Sequence, residues 1–207
     1  RALGEPLDRR EIADRAYRAE YEVQDGQASR ADTFCSAMGG AVRVEGDDCT
    51  TLSTPTLPFV VGFDGGAGDT GKLVADVRAL RDRYDFASDT VDAIGDIVST
   101  GEQLLSEADP NAEPSDELIA ELGDLMNINH GLLSALGVSS RSLDTMVWAA
   151  REAGAEGAKL TGAGGGGCIV ALDRTDETRT SLRYTPGCED SFRAELATEG
   201  VRVEGDE

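Results

Sequence analysis

A run of glycines near the carboxyl end of the 207-residue chain constrains the fold more than any other segment. After Thr161 the sequence reads Gly-Ala-Gly-Gly-Gly-Gly, and the apolar run 168–172 that follows is typical of a strand. Glycine adds no packing and costs unfolded-state entropy, so such a run indicates positive φ angles or a close backbone approach. We therefore predict a structured turn whose amides face a cavity and suit an anion such as phosphate. The alternative, a flexible linker, is disfavoured by the apolar flanks.

Two familiar glycine motifs do not match this run. No Gly-Lys-Ser/Thr follows the glycines, as a Walker loop requires, and the glycines precede a strand where a dinucleotide fingerprint would open a helix. A second glycine-rich segment, residues 64–70, precedes a predicted helix. It either binds an anion at the helix end or is a plain strand-to-helix turn.

Hydrophobic periodicity predicts alternating helices and strands along the chain. The predicted helices cover residues 8–23, 30–38, 70–83, 89–107, 115–136, 140–154, 178–184 and 190–197, and the predicted strands 41–45, 57–63, 169–172 and 201–203. Helices between non-adjacent strands favour an α+β layer packing over a parallel α/β sheet.

The charge balance excludes several classes of partner. The chain has forty acidic and nineteen basic residues, and its formal charge is −21. Such a field repels nucleic acid and anionic membranes. An acidic surface with lysine only at Lys72 and Lys159 predicts a halophilic source. Four scattered cysteines and no secretory signal favour reduced thiols in a cytoplasm, and the single histidine, His130, cannot build a histidine-based metal site.

Two acidic positions are candidates for chemistry. Ser29 is placed to cap the helix that begins at Arg30, which puts Asp32 in its first turn, where the helix N-terminus keeps a carboxylate ionised. Glu20 lies near the end of the preceding predicted helix. The structural alternatives are that Asp32 is an ordinary first-turn carboxylate and that Glu20 is a solvated helix residue.

Several segments together resemble the GHMP small-molecule kinases. Residues 159–168, Lys-Leu-Thr-Gly-Ala-Gly-Gly-Gly-Gly-Cys, are similar to the third motif of that family. Residues 28–32, Ala-Ser-Arg-Ala-Asp, resemble the Ala-Ser-x-x-Asp segment of the archaeal members that phosphorylate mevalonate. Segments 57–74 and 127–144 are similar as well, so the resemblance covers most of residues 8–172.

The resemblance implies both a fold and an activity. The fold would be the end of a ribosomal-protein-S5-like amino-terminal domain in residues 1–56 and an α/β-plait carboxy-terminal domain in residues 57–207. The activity would be ATP-dependent phosphorylation of mevalonate to 5-phosphomevalonate in isoprenoid biosynthesis, with ATP and Mg²⁺ as cofactors. A homodimer is compatible with this resemblance.

The resemblance also assigns roles to individual residues. Asp32 would deprotonate or orient the attacking hydroxyl, and Glu20 would hold Mg²⁺. The spacing is one residue longer than the family pattern, with Asp25 as the insertion, so Glu22 competes for the metal role. The remaining roles are nucleotide phosphate binding by Gly162, Ala163, Gly164 and Gly165, and substrate binding by Ser29, Arg30 and Thr161. For Lys159 and His130, the alternative to a role in the site is a purely structural one.

Departures from the family pattern leave other interpretations open. Arg30 stands where many relatives carry glycine, which would place an extra positive charge near the substrate carboxylate. The family's Gly-Leu-Gly-Ser-Ser-Ala type ATP loop and its amino-terminal lysine are not in this sequence, so we expect a carboxy-terminal fragment that is inactive alone. The alternatives are a kinase for phosphomevalonate, homoserine or a sugar, or a non-catalytic acidic domain on a kinase-like scaffold.

Overall fold

The computed structural model describes residues 7–24, 26 and 28–202, which form two compact units. The first unit holds the described residues up to Pro55 and those from Leu196 onward, and the second holds Thr56–Glu195. The helices are α1 (Arg9–Val23), α2 (Arg30–Met38), α3 (Thr70–Arg83), α4 (Asp85–Glu107), α5 (Asp116–Ala135), α6 (Arg141–Glu152) and α7 (Glu177–Arg183). The strands are β1 (Ala41–Glu45), β2 (Asp48–Leu52), β3 (Phe59–Phe63), β4 (Gly157–Thr161), β5 (Cys168–Leu172) and β6 (Asp190–Ala194).

The first unit packs α1 and α2 against each other and against the β1–β2 hairpin. An aspartate followed three residues later by a glutamate predicts a capping box, and Asp8 and Glu11 form it at the start of α1, with reciprocal hydrogen bonds of 2.8 and 3.0 Å. Ser29 caps α2 as predicted, because its Oγ accepts from the Ala31 amide at 3.1 Å. The core of the unit is small and consists of Ala13, Phe34, Ala37 and Cys49.

The second unit is built on a four-stranded antiparallel sheet in the order β4-β5-β3-β6. Helices α3 to α6 connect β3 to β4, and α7 connects β5 to β6. Reduced to its strands, this is the split β-α-β-β-α-β arrangement of an α/β plait. The α+β class and the plait expected for this region are therefore confirmed.

Both faces of the sheet are covered. On one face Leu143, Met146 and Val147 of α6 pack on β-strand residues such as Val60 and Ile169, and all five are fully buried. On the other face a second cluster joins α5 to the sheet through Ile119 and Leu172. None of the described helices has an apolar stretch long enough to span a membrane.

Helix α5 also covers the outer edge of β4. Asn127 Oδ1 accepts from the Ala158 amide at 3.1 Å, and His130 Nδ1 accepts from the Leu160 amide at 3.3 Å. Since Nδ1 accepts, Nε2 carries the proton and donates to Asp144 Oδ1 at 3.2 Å. Burial lowers the pKa of His130, so the imidazole is a neutral structural group.

Three predictions of local structure are wrong. Residues 190–194 form strand β6 and not a helix, because their amides and carbonyls pair with β3 in register from Phe63↔Asp190 to Phe59↔Ala194. Strand β2 was not predicted, and it completes the hairpin with β1. Val201 and Arg202 belong to no strand, since the Val201 amide donates to Ala37 O at 3.0 Å, while Val203 lies outside the described residues.

Helix boundaries, burial and the domain limit also differ in places. Helix α4 begins at Asp85 rather than at residue 89, and Asp69 rather than Thr70 caps α3 by accepting from the Lys72 amide. Helical periodicity also predicts that Val23, Val74 and Val98 point inward, but Val23 is largely exposed and the other two are about half exposed. Residues 196–202 belong to the first unit and not to the domain that follows residue 56. The Gly40 amide donates to a carbonyl of this segment, and the Val201 amide donates to a carbonyl of α2.

Two glycines of α5 provide a matched test of its close approach to the chain before β4. A Cβ on Gly123 would lie 2.6 Å from the carbonyl carbon of Glu156, whereas a Cβ on Gly131 meets nothing within 4 Å. Gly131→Ala is expected to stabilise the protein by about 0.5–1 kcal/mol through helix propensity. Gly123→Ala is expected to destabilise it by about 1–3 kcal/mol through overpacking. Urea unfolding measures both, and an equal gain in the two variants would contradict the packing described.

Candidate functional site

The glycine loop, residues 162–167, connects β4 to β5. Five of its six residues have φ angles between 74° and 151°, a region that residues with a Cβ rarely adopt. These five are Gly162, Gly164, Gly165, Gly166 and Gly167. The sequence therefore contains glycine here because the turn needs this backbone. The structured loop predicted for this run is what the structure contains.

Close packing holds the glycine loop in place. The Gly165 amide donates to Val138 O at 2.8 Å, and a Cβ on Gly164 would overlap that same carbonyl. A Cβ on Gly68 would in turn overlap Gly164 O. The loop is thus fixed between the turn that precedes α6 and the second glycine-rich segment.

Asp64, just after β3, is the polar centre of this arrangement. Its Oδ1 accepts from the amides of Gly66 and Gly167 at 2.9 and 2.7 Å, and its Oδ2 accepts from Ser142 Oγ at 2.5 Å. The Asp64 amide also donates to Gly167 O at 2.9 Å. One carboxylate therefore ties together the end of β3, the start of β5 and the first turn of α6.

The environment of Asp64 favours its ionised form. Burial alone would raise the pKa of this carboxyl, but the hydrogen bonds from Ser142, Gly167 and Gly66 outweigh it and lower the pKa. Burial and the nearby Asp64 charge raise the pKa of the Cys168 thiol. The thiol beside the loop is accordingly protonated and is not an activated nucleophile.

Four amides of the glycine loop have no protein acceptor among the described residues, and two of them belong to buried residues, Gly164 and Gly166. Within the described part of the chain, the amides of Gly162, Ala163, Gly164 and Gly166 donate to no protein acceptor, whereas those of Gly165 and Gly167 are engaged. Successive backbone amides in a rigid turn attract anions. The loop is therefore chemically suited to phosphate oxygens, with Thr161 exposed at its entrance.

The first unit contains the other predicted side chains, and Ser29, Arg30 and Asp32 lie together at the start of α2. Asp32 is exposed and lines a cavity of about 290 Å³ with apolar residues of α1 and α2. Arg30 donates to Asp14 Oδ1 at 2.7 Å and to Asp47 Oδ1 at 3.0 Å. The hydrogen bond to Asp14 is the main cause that raises the pKa of Arg30.

The metal candidates lie in the last turns of α1. Glu20 Oε1 accepts from Gln24 Nε2 at 2.8 Å, and Glu22 is exposed. Asp25, the inferred insertion, lies outside the described residues. No group of three potential metal ligands occurs among the residues described, so a metal held here would need ligands beyond these side chains.

Sequence reasoning missed Asp64 and Ser142 as a pair. Residues 64–70 were interpreted as an anion-binding or plain turn, and the sequence at the start of α6 offers both Ser140 and Ser142 as caps. In the structure Ser140 caps α6, accepting from the Leu143 amide at 3.3 Å, which leaves Ser142 to bind Asp64. An acidic residue directly after a buried strand, followed by two glycines, was the available signal.

Comparisons with known proteins agree on one class. The model of the carboxy-terminal domain of the GHMP kinases matches residues 116–184. Residues 116–184 are therefore similar to the carboxy-terminal domain of the GHMP kinases, and the glycine loop lies within that matched region.

The individual proteins that resemble the chain include several mevalonate kinases. The mevalonate kinase of Pyrococcus horikoshii is 41% identical over 99% of this chain and 60% of that protein. The enzyme of Pyrococcus furiosus is 41% identical over 98% of this chain and 59% of that protein. The crystal structure of L. major mevalonate kinase in complex with R-mevalonate matches with a TM-score of 0.79 and 27% identity, over 94% of this chain and 60% of that one. The chain thus spans about 60% of the length of the relatives that it matches.

Asp64→Asn tests the hydrogen bonds that hold the loop. An amide cannot accept from Ser142 through its nitrogen, so the variant is expected to lose about 1–3 kcal/mol of unfolding free energy near neutral pH. Because the pKa of Asp64 lies below its ordinary value of 3.8, its ionisation stabilises the fold above that pH. The difference from the parent protein should shrink as the pH falls through the folded-state pKa.

The measurement is urea unfolding across a pH series. Asp82→Asn is the control, since Asp82 is exposed on α3 and has no hydrogen-bonding partner among the described residues. A difference between Asp64→Asn and the parent that does not change with pH would contradict an ionised Asp64.

Proposed function

We propose that the protein containing this chain transfers the γ-phosphoryl group of ATP to mevalonate, forming 5-phosphomevalonate for isoprenoid biosynthesis. The observation that carries the proposal is the glycine loop, whose free amides suit a phosphate and whose sequence lies within a 41% identical match to a mevalonate kinase. The proposal concerns a protein that also carries an ATP loop of the Gly-Leu-Gly-Ser-Ser-Ala type, because the present 207 residues contain none.

In this proposal the glycine loop binds nucleotide phosphate. Gly162, Ala163 and Gly164 offer amide donors, and the bond from Gly165 to Val138 O keeps the turn rigid. Phosphoryl transfer involves little covalent chemistry by the protein, so prepositioned donors supply much of the rate enhancement. Thr161, at the loop entrance, contributes its hydroxyl to substrate binding.

Asp32 is proposed to orient and deprotonate the attacking hydroxyl. Its exposed carboxylate lies in the first turn of α2. The Ser29 hydroxyl accepts from the Ala31 amide and so retains its own proton for donation to a substrate oxygen. Arg30 supplies positive charge for the mevalonate carboxylate, although Asp14 and Asp47 partly neutralise it.

Glu20 is proposed as a protein ligand of Mg²⁺ on the nucleotide, with Glu22 as the competing residue. A single carboxylate fits this metal, which binds one or two protein carboxylates and completes its octahedron with phosphate oxygens and water. When bound, Mg²⁺ neutralises charge on the transferring phosphoryl group. Glu20 reaches the metal only if it exchanges its hydrogen bond with Gln24.

Asp32→Ala in the full-length protein tests the catalytic assignment. Loss of the positioned carboxylate is expected to lower kcat by about 10²–10⁴-fold, the usual contribution of a general base. The assay couples ADP release to a panel of mevalonate, phosphomevalonate, homoserine and galactose. Asp48→Ala, an exposed aspartate at the start of β2, is the control and should leave kcat unchanged.

Three results would contradict the proposal in different ways. A preferred acceptor other than mevalonate would place the protein in another branch of the family. Phosphorylation that Asp32→Ala leaves unchanged would remove the catalytic role, and no turnover with any acceptor would favour a non-catalytic acidic domain.

We also propose that the protein works in a cytoplasm of high salt concentration, without nucleic acid or membrane partners. The formal charge of −21 supports this, since dense carboxylates repel one another at low ionic strength. Exposed aromatic side chains in the second unit, among them Trp148 and Tyr184, are compatible with a homodimer.

Salt dependence tests the proposed halophilic character. Screening of the carboxylate repulsion is expected to raise the thermal unfolding midpoint steadily as potassium chloride increases from low to molar concentration. Calorimetry in potassium chloride and in a matched series of sucrose separates screening from general solute exclusion. A midpoint that is equal at low and molar salt would contradict the proposal.

A further inference from the structure

A cavity of about 220 Å³ lies in the second unit between α4, α5 and the face of the sheet opposite α6. Most of its lining is aliphatic and includes Leu57, Leu105, Leu122 and Met126. Apolar cavities of this kind hold small organic molecules, as a cavity of roughly 150 Å³ holds benzene. No carboxylate belongs to the described lining.

One wall of the cavity carries a lysine without an acidic partner. Lys159 Nζ donates to Leu160 O at 2.7 Å and forms no ion pair among the described residues, although the chain has 40 acidic side chains. An ammonium group has three donors, so one backbone acceptor leaves two of them unused. Burial lowers the pKa of Lys159, because the ammonium group loses solvation when it leaves water.

A second polar group, on α5, also lines the cavity. Asn129 is only 9% exposed, lines the cavity, and makes no side-chain hydrogen bond within the described part of the chain. The described polar atoms that are fully enclosed without a partner include neither the amide nitrogen nor the amide oxygen of Asn129, so this amide is open to a molecule that enters the cavity. Its neighbours Asn127 and His130 are fully used at the edge of β4, so the open amide of Asn129 is not part of that structural network.

We propose that this cavity binds a compact apolar carboxylate of about six carbons, with Lys159 and Asn129 contacting the carboxylate. One cation and one amide N–H₂ match the two oxygens of a carboxylate, and the aliphatic walls match a short hydrocarbon body. A phosphate monoester would carry a second charge that the site has no further cation to balance. The site is separate from the glycine loop and does not depend on the proposed kinase activity.

Hexanoate is the probe, and the two lysines of the chain give the experiment an internal control. Amine acylation of the purified protein, followed by peptide mass spectrometry, should show Lys159 increasingly protected as hexanoate is added. Labelling of Lys72, which is exposed on α3, should not change. Equal labelling of Lys159 with and without hexanoate would overturn the proposal.

Calorimetric titration tests the head-group contacts. Lys159→Met keeps the aliphatic stem and is expected to weaken hexanoate binding by about tenfold or more, whereas Lys72→Met should not. Asn129→Asp places a carboxylate on the cavity wall and should also abolish binding. Hexan-1-ol binding as tight as that of hexanoate, or unchanged binding by Lys159→Met, would show that the cavity is only an apolar void and would overturn the proposal.

Discussion

The three hydrogen bonds accepted by the Asp64 carboxylate are the interaction on which the second unit's functional geometry depends. They join three segments that are far apart in sequence. The glycine-rich segments at this point have too few side chains to be held in place by packing alone. A glycine loop has little intrinsic preference for one shape. Its rigidity is therefore conferred by a charged neighbour and by the tight approach of Gly68 and Val138.

If the glycine loop binds phosphate as proposed, this arrangement explains how an acidic protein offers a site for an anion. The net charge of −21 repels phosphate at long range, yet amides at short range act as donors without adding cations. Asp64 orients the loop, and its hydrogen bonds to Ser142 and two amides partly offset its own charge. The net charge thus opposes the approach of phosphate, whereas the loop amides favour its binding. At contact distance the effect of the amides is the larger one.

Elements with strong local signals were predictable from the sequence. The capping box of α1, the Ser29 cap of α2 and the positive-φ turn at residues 162–167 each depend on neighbouring residues, and all are present. Strand β6 was mistaken for a helix because its edge position depends on pairing with β3, which no local pattern encodes. Asp64 and Ser142 are 78 residues apart, so their contact follows from the tertiary fold alone.

The cover that α5 provides along β4 also has a consequence for assembly. Since Asn127 and His130 occupy the amides of the outer edge, no foreign strand can add there without first displacing a helix. In the second unit, strand addition is thereby limited to the side of β6, a five-residue strand that carries Asp190 and Arg193. Short, charged edge strands of this kind disfavour the addition of further strands. The sheet is therefore expected to resist polymerisation by backbone pairing even at high protein concentration.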